Sequence, residues 1–329
     1  MKRRTLIASL LAAGACPALP GFAADPKPPR LLGGGRAKLG VYLGAGCAGT
    51  ERLPAYTQWL QRDVDQTLEF VSWDVLKAAG AWAIKCWETG GRKSVVYSLP
   101  MLPPDRSAKL ADGAAGKFDQ LFAGYAAQLV KWGYGESVIR IGWEFNANWY
   151  AWDASKDPTS WVAYWRRIVS AMNETPGAAF VYDWCPAAAA SGFDAEQAYP
   201  GDDYVDIVGL DFYNMPVNGK KSDSPEARWD ARMNMQHGLK WQRDFAKSHG
   251  KPISMPEWGT GVHKKWGGPT DDPYFIDHMA AWIADSPVAY HNYWEYWAKD
   301  FDTRLAGGRQ PGASAAFLRH FGGSALASS

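Results

Sequence analysis

The sequence predicts a single α/β domain with the fold of a (β/α)8 TIM barrel. Eight short apolar or β-branched segments alternate with segments whose apolar residues recur at three- and four-residue steps. Such alternation implies parallel strands joined by right-handed crossovers, and 329 residues suffice for a barrel of ~250 residues. A doubly wound open sheet would alternate in the same way. However, Gly44 and Gly46, after the first strand, lack the further glycine and acidic partner of a dinucleotide site.

The predicted strands share short length and β-branched or apolar composition, and cover 38–43, 67–73, 93–99, 137–143, 179–184, 205–213, 252–257 and 289–294. The predicted helices between or after them cover 76–86, 121–132, 161–172, 229–247, 273–284 and 313–321. Asp157 and Pro158 resemble a helix start. The connection between the fifth and sixth strands is short, and its helix is weakly indicated.

Residues 1–23 have the features of a signal peptide, with basic residues before a run of ~10 apolar ones. We expect a linker over 24–36, the barrel over 37–325, and export to the periplasm or the extracellular space. The Arg3-Arg4 pair also permits the twin-arginine route. Cys16 would allow a lipid anchor, although Ala13 stands where such signals usually have a larger aliphatic residue.

Composition excludes several classes of function. The net charge of +1 argues against nucleic acid as the main partner, and no later segment is apolar enough to span a membrane. Neither the histidines nor the cysteines have metal-ligand spacing, so no metal or cofactor is expected. Cys47, Cys86 and Cys185 allow at most one disulfide in the mature chain. The 18 tryptophans exceed what a core alone needs, and aromatic rings on loops suit sugar binding.

Two predicted strand ends carry glutamates. On the fourth strand, alternation places Arg140, Gly142 and Glu144 on one face, which we expect to point into the barrel. On the seventh, Ile253, Met255 and Glu257 share a face that is apolar until its last residue.

Active sites of this fold lie at the carboxyl ends of the strands, so both glutamates should face the barrel mouth. Two facing carboxylates suit glycosidic bond cleavage, one as general acid and the other as nucleophile. The structural alternative is an ion pair that closes the barrel, such as Glu144 with Arg140.

Four segments, 39–44, 140–152, 206–213 and 251–259, resemble glycoside hydrolase family 26, a group of β-mannanases and related β-glycanases within the retaining barrel clan A. The resemblance implies that Glu144 is the acid/base, that Glu257 is the nucleophile and that Tyr213 hydrogen-bonds the nucleophile. It also implies that no metal is required. The family usually has His immediately before the acid/base, where this chain has Trp143.

The expected function is therefore a retaining, endo-acting glycoside hydrolase of a β-linked polysaccharide, with mannan, β-glucan, xylan or a bacterial exopolysaccharide as substrate. A non-catalytic polysaccharide-binding barrel is the alternative, and a monomer is expected. Trp149 and Trp152 should form a subsite wall, because polar residues among them indicate a solvated loop. Trp184, Trp258 and Trp294 lie near strand ends and could be core or sugar platforms. The candidate substrate-binding residues are Arg140, Asn146, Trp149, Trp152, Trp184, Tyr213, Trp258 and Trp294.

Overall fold

The computed structural model describes residues 36–92, 94–188, 192–216 and 224–323. Eight parallel strands form a closed sheet, which confirms the predicted barrel. In order around the barrel they are β1 (Lys38–Tyr42), β2 (Gln66–Phe70), β3 (Val95–Leu99), β4 (Val138–Ile141), β5 (Val181–Trp184), β6 (Ile207–Gly209), β8 (Ile253–Thr260) and β10 (Val288–Trp294). Pairing of β10 with both β8 and β1 closes the ring.

Three short strands lie outside the ring. Strand β7 (Phe212–Asn214) pairs with the end of β8, because the predicted sixth strand is interrupted between β6 and β7. Strands β9 (Val262–His263) and β11 (Phe301–Asp302) form an antiparallel ribbon beyond the carboxyl ends of β8 and β10.

Helices flank the strands. They are α1 (Gly46–Leu60), α2 (Trp73–Lys77), α3 (Trp82–Thr89), α4 (Leu110–Ala114), α5 (Asp119–Lys131), α6 (Pro158–Asn173), α7 (Pro225–Asn234), α8 (Leu239–Ser248), α9 (Pro273–Asp285) and α10 (Pro311–Phe321). The weakly indicated helix between the fifth and sixth strands is a single 3-10 turn, Ala195–Ala198. Asp157 caps α6 as predicted, since its carboxylate accepts from the backbone N–H of Ser160.

Two predicted helices are in fact pairs of helices. The segment 76–86 is divided between α2 and α3, because Ala79 has a left-handed backbone (φ 46°) that ends the first helix. The segment 229–247 is divided between α7 and α8, because the extended backbone of Met235 ends α7. Apolar periodicity continues across both breaks, which is why the sequence pattern did not reveal them.

The barrel interior is a layered core. A set of inward side chains from six strands forms a separate apolar cluster, namely Tyr42, Leu68, Val96, Val181, Ile207 and Tyr290. A buried polar group lies against this cluster. Asp183 accepts hydrogen bonds from the hydroxyls of Ser254 (2.6 Å) and Tyr290 (2.5 Å). The interior is therefore filled by side chains, and in this fold the active site lies at the mouth.

Strand β8 contains a β-bulge, and the predicted inward facing of Ile253 and Met255 on this strand is wrong. Between the paired positions His291–Met255 and Tyr293–Trp258, β8 has one residue more than β10. Ser254 points inward to Asp183, whereas Met255 belongs to the large core cluster shared with the helices. The extra residue shifts the alternation, so Glu257 faces inward although Met255 does not.

A disulfide between Cys47 and Cys86 joins the start of α1 to α3, and Cys185 is buried as a free thiol. None of the described helices has the length and apolar character needed to cross a bilayer. The predicted signal peptide, with Arg3, Arg4 and Cys16, lies outside the described residues.

Candidate active site

Glu144 and Glu257 both lie toward the carboxyl ends of barrel strands, on the same side of the barrel. Glu257 lies near the end of β8, and Glu144 lies three residues beyond β4. The two carboxyl groups are close enough to interact, and the negative charge of Glu257 contributes to the raised pKa of Glu144. The structure therefore brings the two predicted glutamates together at the mouth.

The backbone after β4 turns sharply. Gly142 and Glu144 both have a left-handed backbone (φ 53°), which is strained for a residue with a side chain such as Glu144. The alternation predicted for the fourth strand ends at Ile141, so Trp143 does not continue the face of Ile139 and Ile141. Its ring instead lies edge-on to Phe70, 5.0 Å between centroids.

Glu257 is held by two hydrogen-bond donors. Arg140 donates to one oxygen (2.7 Å) and the Tyr213 hydroxyl donates to the other (2.9 Å), so the predicted Tyr213–Glu257 contact is confirmed. Arg140 is fully buried, donates to Ser98 (3.0 Å) and also pairs with Asp211. Its ion-pair partners among the described residues are thus Asp211 and Glu257 rather than Glu144.

Glu144 has a different environment. It is half-buried, and one of its oxygens accepts a hydrogen bond from the Trp149 indole N–H (2.9 Å). Burial, and secondly the charge of Glu257, raise the pKa of Glu144 to about 8. A carboxyl group with this pKa is mostly protonated at neutral pH and can donate a proton.

Two other glutamates have raised pKa values but make only structural contacts. Burial raises the pKa of Glu69 to about 7, and its carboxylate accepts from the Gly46 N–H and the Trp87 indole N–H. Burial raises the pKa of Glu295 to about 8, and its carboxylate accepts from the N–H groups of Leu305 and Ala306. A raised pKa alone therefore does not identify the acid. Glu144 differs because the charge of Glu257 is the second-largest cause of its raised pKa, whereas backbone N–H groups occupy the carboxylate of Glu295.

Trp149 is the predicted wall residue that the structure leaves accessible, since 49% of its surface is exposed. Asn146, by contrast, is buried and forms a two-way clamp with Ala187. Its amide N–H donates to the Ala187 carbonyl (2.9 Å) and its oxygen accepts from the Ala187 N–H (2.8 Å). Asn146 therefore shapes the acid/base loop, and the prediction that it contacts substrate is wrong.

Three further predicted platforms are core residues. Trp152 is 4% exposed, donates to the Trp143 carbonyl (2.9 Å) and stacks on Tyr150. Trp184 and Trp258 are fully buried. Trp184 donates to a carbonyl in the 3-10 turn, and Trp258 packs behind β8 against α10. None has a ring face available to a sugar.

Trp294 is half-buried at the mouth and stacks on Tyr42 (4.2 Å between centroids). The predicted sugar platform at this position is compatible with the geometry. The sequence interpretation missed further aromatic residues at the mouth: Tyr42 and Phe70 contact Trp294, and Tyr150 contacts Trp143. Tyr42 and Phe70 each end a barrel strand, so the strand-end rule that found Glu144 could also have found them.

No group of three His, Cys, Asp or Glu side chains in the described part of the chain is placed to hold a metal ion. The candidate chemistry is thus that of the two carboxyl groups and the donors around them.

Comparison with known families gives a match for this region. The model of glycosyl hydrolase family 26 matches residues 136–226, which include Glu144 and Tyr213. The resemblance to glycosyl hydrolase family 26 is confirmed. The match supports a glycosidase, and it ends before Glu257. No curated protein matches the sequence.

Solved structures similar to this chain extend over most of the barrel. The catalytic domain of an endo-β-1,4-mannanase from Bacillus sp. JAMB-750 superposes with a TM-score of 0.63 at 16% identity, covering 87% of this chain and 86% of that one. A Cellulomonas fimi endo-β-1,4-mannanase double mutant gives 0.62 at 18%, covering 85% and 70%. A family 26 protein from a Muricauda species gives 0.62 at 15%, covering 88% and 86%. At these identities the similarity shows a shared fold.

Proposed function

We propose that this chain is a retaining, endo-acting glycoside hydrolase of a β-linked polysaccharide, with Glu144 as acid/base and Glu257 as nucleophile. The observation that carries the proposal is that two interacting carboxyl groups have different surroundings. Arg140 and Tyr213 donate to Glu257, whereas the pKa of Glu144 is raised to about 8. One group is built to carry negative charge and the other to hold a proton.

In the first step, an oxygen of Glu257 would attack the anomeric carbon while Glu144 gives its proton to the departing glycosidic oxygen. In the second, the Glu144 carboxylate would take a proton from water, and that water would release the sugar from Glu257. Arg140 and Tyr213 act on the nucleophile as positioning residues, because each fixes one of its oxygens.

The proposed endo action rests on the aromatic residues along the mouth. Trp149 exposes its ring on the acid/base side, and Trp294 lies at the mouth on the side of β10. Sites for a polymer chain need sugar contacts on both sides of the cleaved bond. Endo action predicts that the viscosity of a polymer solution falls early relative to the release of reducing ends.

Mannan is the first substrate to test, because similar structures are described as endo-β-1,4-mannanases. β-Glucan, xylan and bacterial exopolysaccharides complete the panel. Trp143, in the position where family 26 usually has His, places an indole against Phe70 and hydrogen-bonds Tyr150 (2.9 Å). We propose that this change alters the preferred sugar. The signal peptide at 1–23, the linker at 24–36 and export remain part of the proposal.

The alternative, a barrel that binds polysaccharide without cutting it, would have no need of a protonated carboxyl group beside a second carboxylate. Incubation of the purified chain with the panel, followed by measurement of reducing ends, separates the two. Hydrolysis by the wild type and none by Glu257→Gln is expected. Binding without hydrolysis of any member by the wild type would favour the binding barrel.

A further inference from the structure

Two segments, 262–268 and 297–309, form one wall of the mouth, which we call the basic rim. They contain the β9–β11 ribbon. The ring of Phe301 on β11 packs against Tyr213, 5.3 Å between centroids, and Tyr213 in turn holds Glu257. Only the side chain of Tyr213 therefore separates the rim residue Phe301 from the proposed nucleophile.

Charge on the basic rim is strongly one-sided. Its two segments contain five Lys or Arg residues and only two Asp residues, in a chain whose net charge is +1. Asp302 pairs with both Arg304 (2.8 Å) and Arg309 (3.0 Å), and Asp300 pairs with His263. The lysines of the rim are exposed and form no ion pair among the described residues, namely Lys264, Lys265 and Lys299.

Aromatic rings stand among these charges. Trp266 is 47% exposed, stacks on His263 and has the Lys265 ammonium over its ring. Trp297 is 56% exposed and has the Arg304 guanidinium over its ring. An exposed indole can stack on the apolar face of a sugar, and an ammonium group nearby can pair with an anionic substituent of the same chain. A neutral glycan would use the rings but gain nothing from the charge of three lysines that have no acidic partner among the described residues.

We propose that the substrate is an acidic β-glycan, a polysaccharide whose sugars carry carboxylate groups, and that the basic rim binds those groups while Trp266 and Trp297 contact the sugar rings. This inference rests on the proposed function of the same mouth. A cleft wall of one sign raises the local concentration of an oppositely charged ligand, and the effect weakens as salt screens it.

The test compares a neutral polymer with its acidic derivative of the same backbone and length. Glucomannan and the same glucomannan oxidised to carboxylates at C6 form one pair, and hydroxyethyl and carboxymethyl cellulose form another. Binding is measured by affinity electrophoresis at low and high salt, in the Glu257→Gln background so that the polymers stay intact. The triple change Lys264→Gln, Lys265→Gln, Lys299→Gln removes the unpaired charge and keeps both rings.

A matched control is Lys131→Gln, Lys240→Gln, Lys247→Gln, which removes three exposed charges from α5 and α8. We expect the wild-type rim to bind the acidic polymers more tightly than the neutral ones at low salt. The rim triple variant should bind the acidic polymers about tenfold more weakly, since each exposed ion pair contributes modestly and three contributions are lost together. The control triple should lose less than about twofold by the same reasoning. In high salt the difference between the polymers should shrink.

Equal or weaker binding of both acidic polymers relative to their neutral partners would overturn the inference. So would an acidic preference that the rim triple leaves unchanged. The proposed function is measured separately, as reducing ends released by the wild type. A protein that cuts neutral glucomannan yet shows no acidic preference would keep its proposed function and lose this inference.

Discussion

The two sides of the mouth hold their carboxyl groups in opposite ways. Glu257 stands on a bulge within the barrel wall and is 6% exposed, with Arg140 and Tyr213 on its two oxygens. Glu144 stands past the end of β4 on a left-handed turn, half-buried, with the neutral indole of Trp149 as its donor. A cation and a rigid strand suit a group that must remain charged and aimed, whereas a partly buried site without an ion-pair partner suits a group that must hold a proton.

The structural glutamates sharpen this contrast. Glu295 has a pKa raised to about 8, like Glu144, yet it caps the backbone of residues 305–306. Burial is the largest cause in both cases, so a raised pKa reports the environment and not the role. Glu295 is therefore the natural control for both proposed catalytic residues.

The largest expected effect is that of Glu257→Gln. Removal of the nucleophile should lower turnover by several orders of magnitude, because the covalent step has no other carboxylate in its place. It should also lower the melting temperature, since Arg140 loses one of its two ion-pair partners. Reducing-end release and thermal unfolding measure the two effects. Glu295→Gln should lower stability while leaving turnover near wild type, and equal loss of turnover in both variants would contradict the assignment.

Glu144→Gln should act differently. Wild-type activity should fall as pH rises through about 8, because the acid loses its proton there. The variant should be roughly 10²–10⁴-fold slower on polymer and should lack this basic limb. Rates across pH on polymer and on an aryl glycoside check this. On the aryl glycoside, whose leaving group needs no proton, the rate of the variant should fall less than on polymer. An unchanged basic limb in the variant would remove Glu144 from the role.

Trp152 and Trp149 should separate stability from binding. Trp152→Ala should lower the free energy of unfolding by about 3–5 kcal/mol, since it empties a buried site. Trp149→Ala should change it by about 0.5 kcal/mol or less while weakening polymer binding. Urea unfolding and affinity electrophoresis measure the pair. A folded, fully stable Trp152→Ala protein would show that this ring is not part of the core.

The smallest expected effect is a shift in the pH profile. The hydrogen bond from Trp149 lowers the pKa of Glu144, so Trp149→Phe should move the basic limb to higher pH while keeping an aromatic ring at the mouth. Trp297→Phe, a change at another exposed ring, should leave the limb in place. A shift toward lower pH in Trp149→Phe would mean that the indole does not stabilise the charged form of Glu144.

Strand positions and the glutamate pair could be predicted from the sequence, because strand length, alternation and polar strand ends are local features. The inward facing of Glu257 was predicted correctly, but from the wrong alternation. The assumed alternation placed it with Ile253 and Met255, whereas the bulge on β8 separates it from both. A bulge depends on pairing with β10, which a single strand does not encode.

Aromatic residues near strand ends were the least predictable part of the site. Trp152, Trp184 and Trp258 have the same residue type and similar sequence positions as Trp149 and Trp294, yet the first three are core. The orientation of Trp152 follows from the turn at Gly142 and Glu144, and that of Trp258 from the bulge on β8, both of which break the period of two. Trp184 keeps the period of two, since it follows the inward-facing Asp183 on β5. Composition predicted the surplus of tryptophan but not which rings face the mouth.

The most direct test of the account is covalent trapping of the nucleophile. A 2-deoxy-2-fluoro glycoside of the sugar that the screen identifies should inactivate the wild type, and mass spectrometry of the digested protein should find the sugar on Glu257. Glu144→Gln should still be labelled at Glu257 when the leaving group is activated, because that step needs no proton donor. A label on Glu144 or Asp211, or a first hydrolysis product of inverted anomeric configuration, would contradict the account.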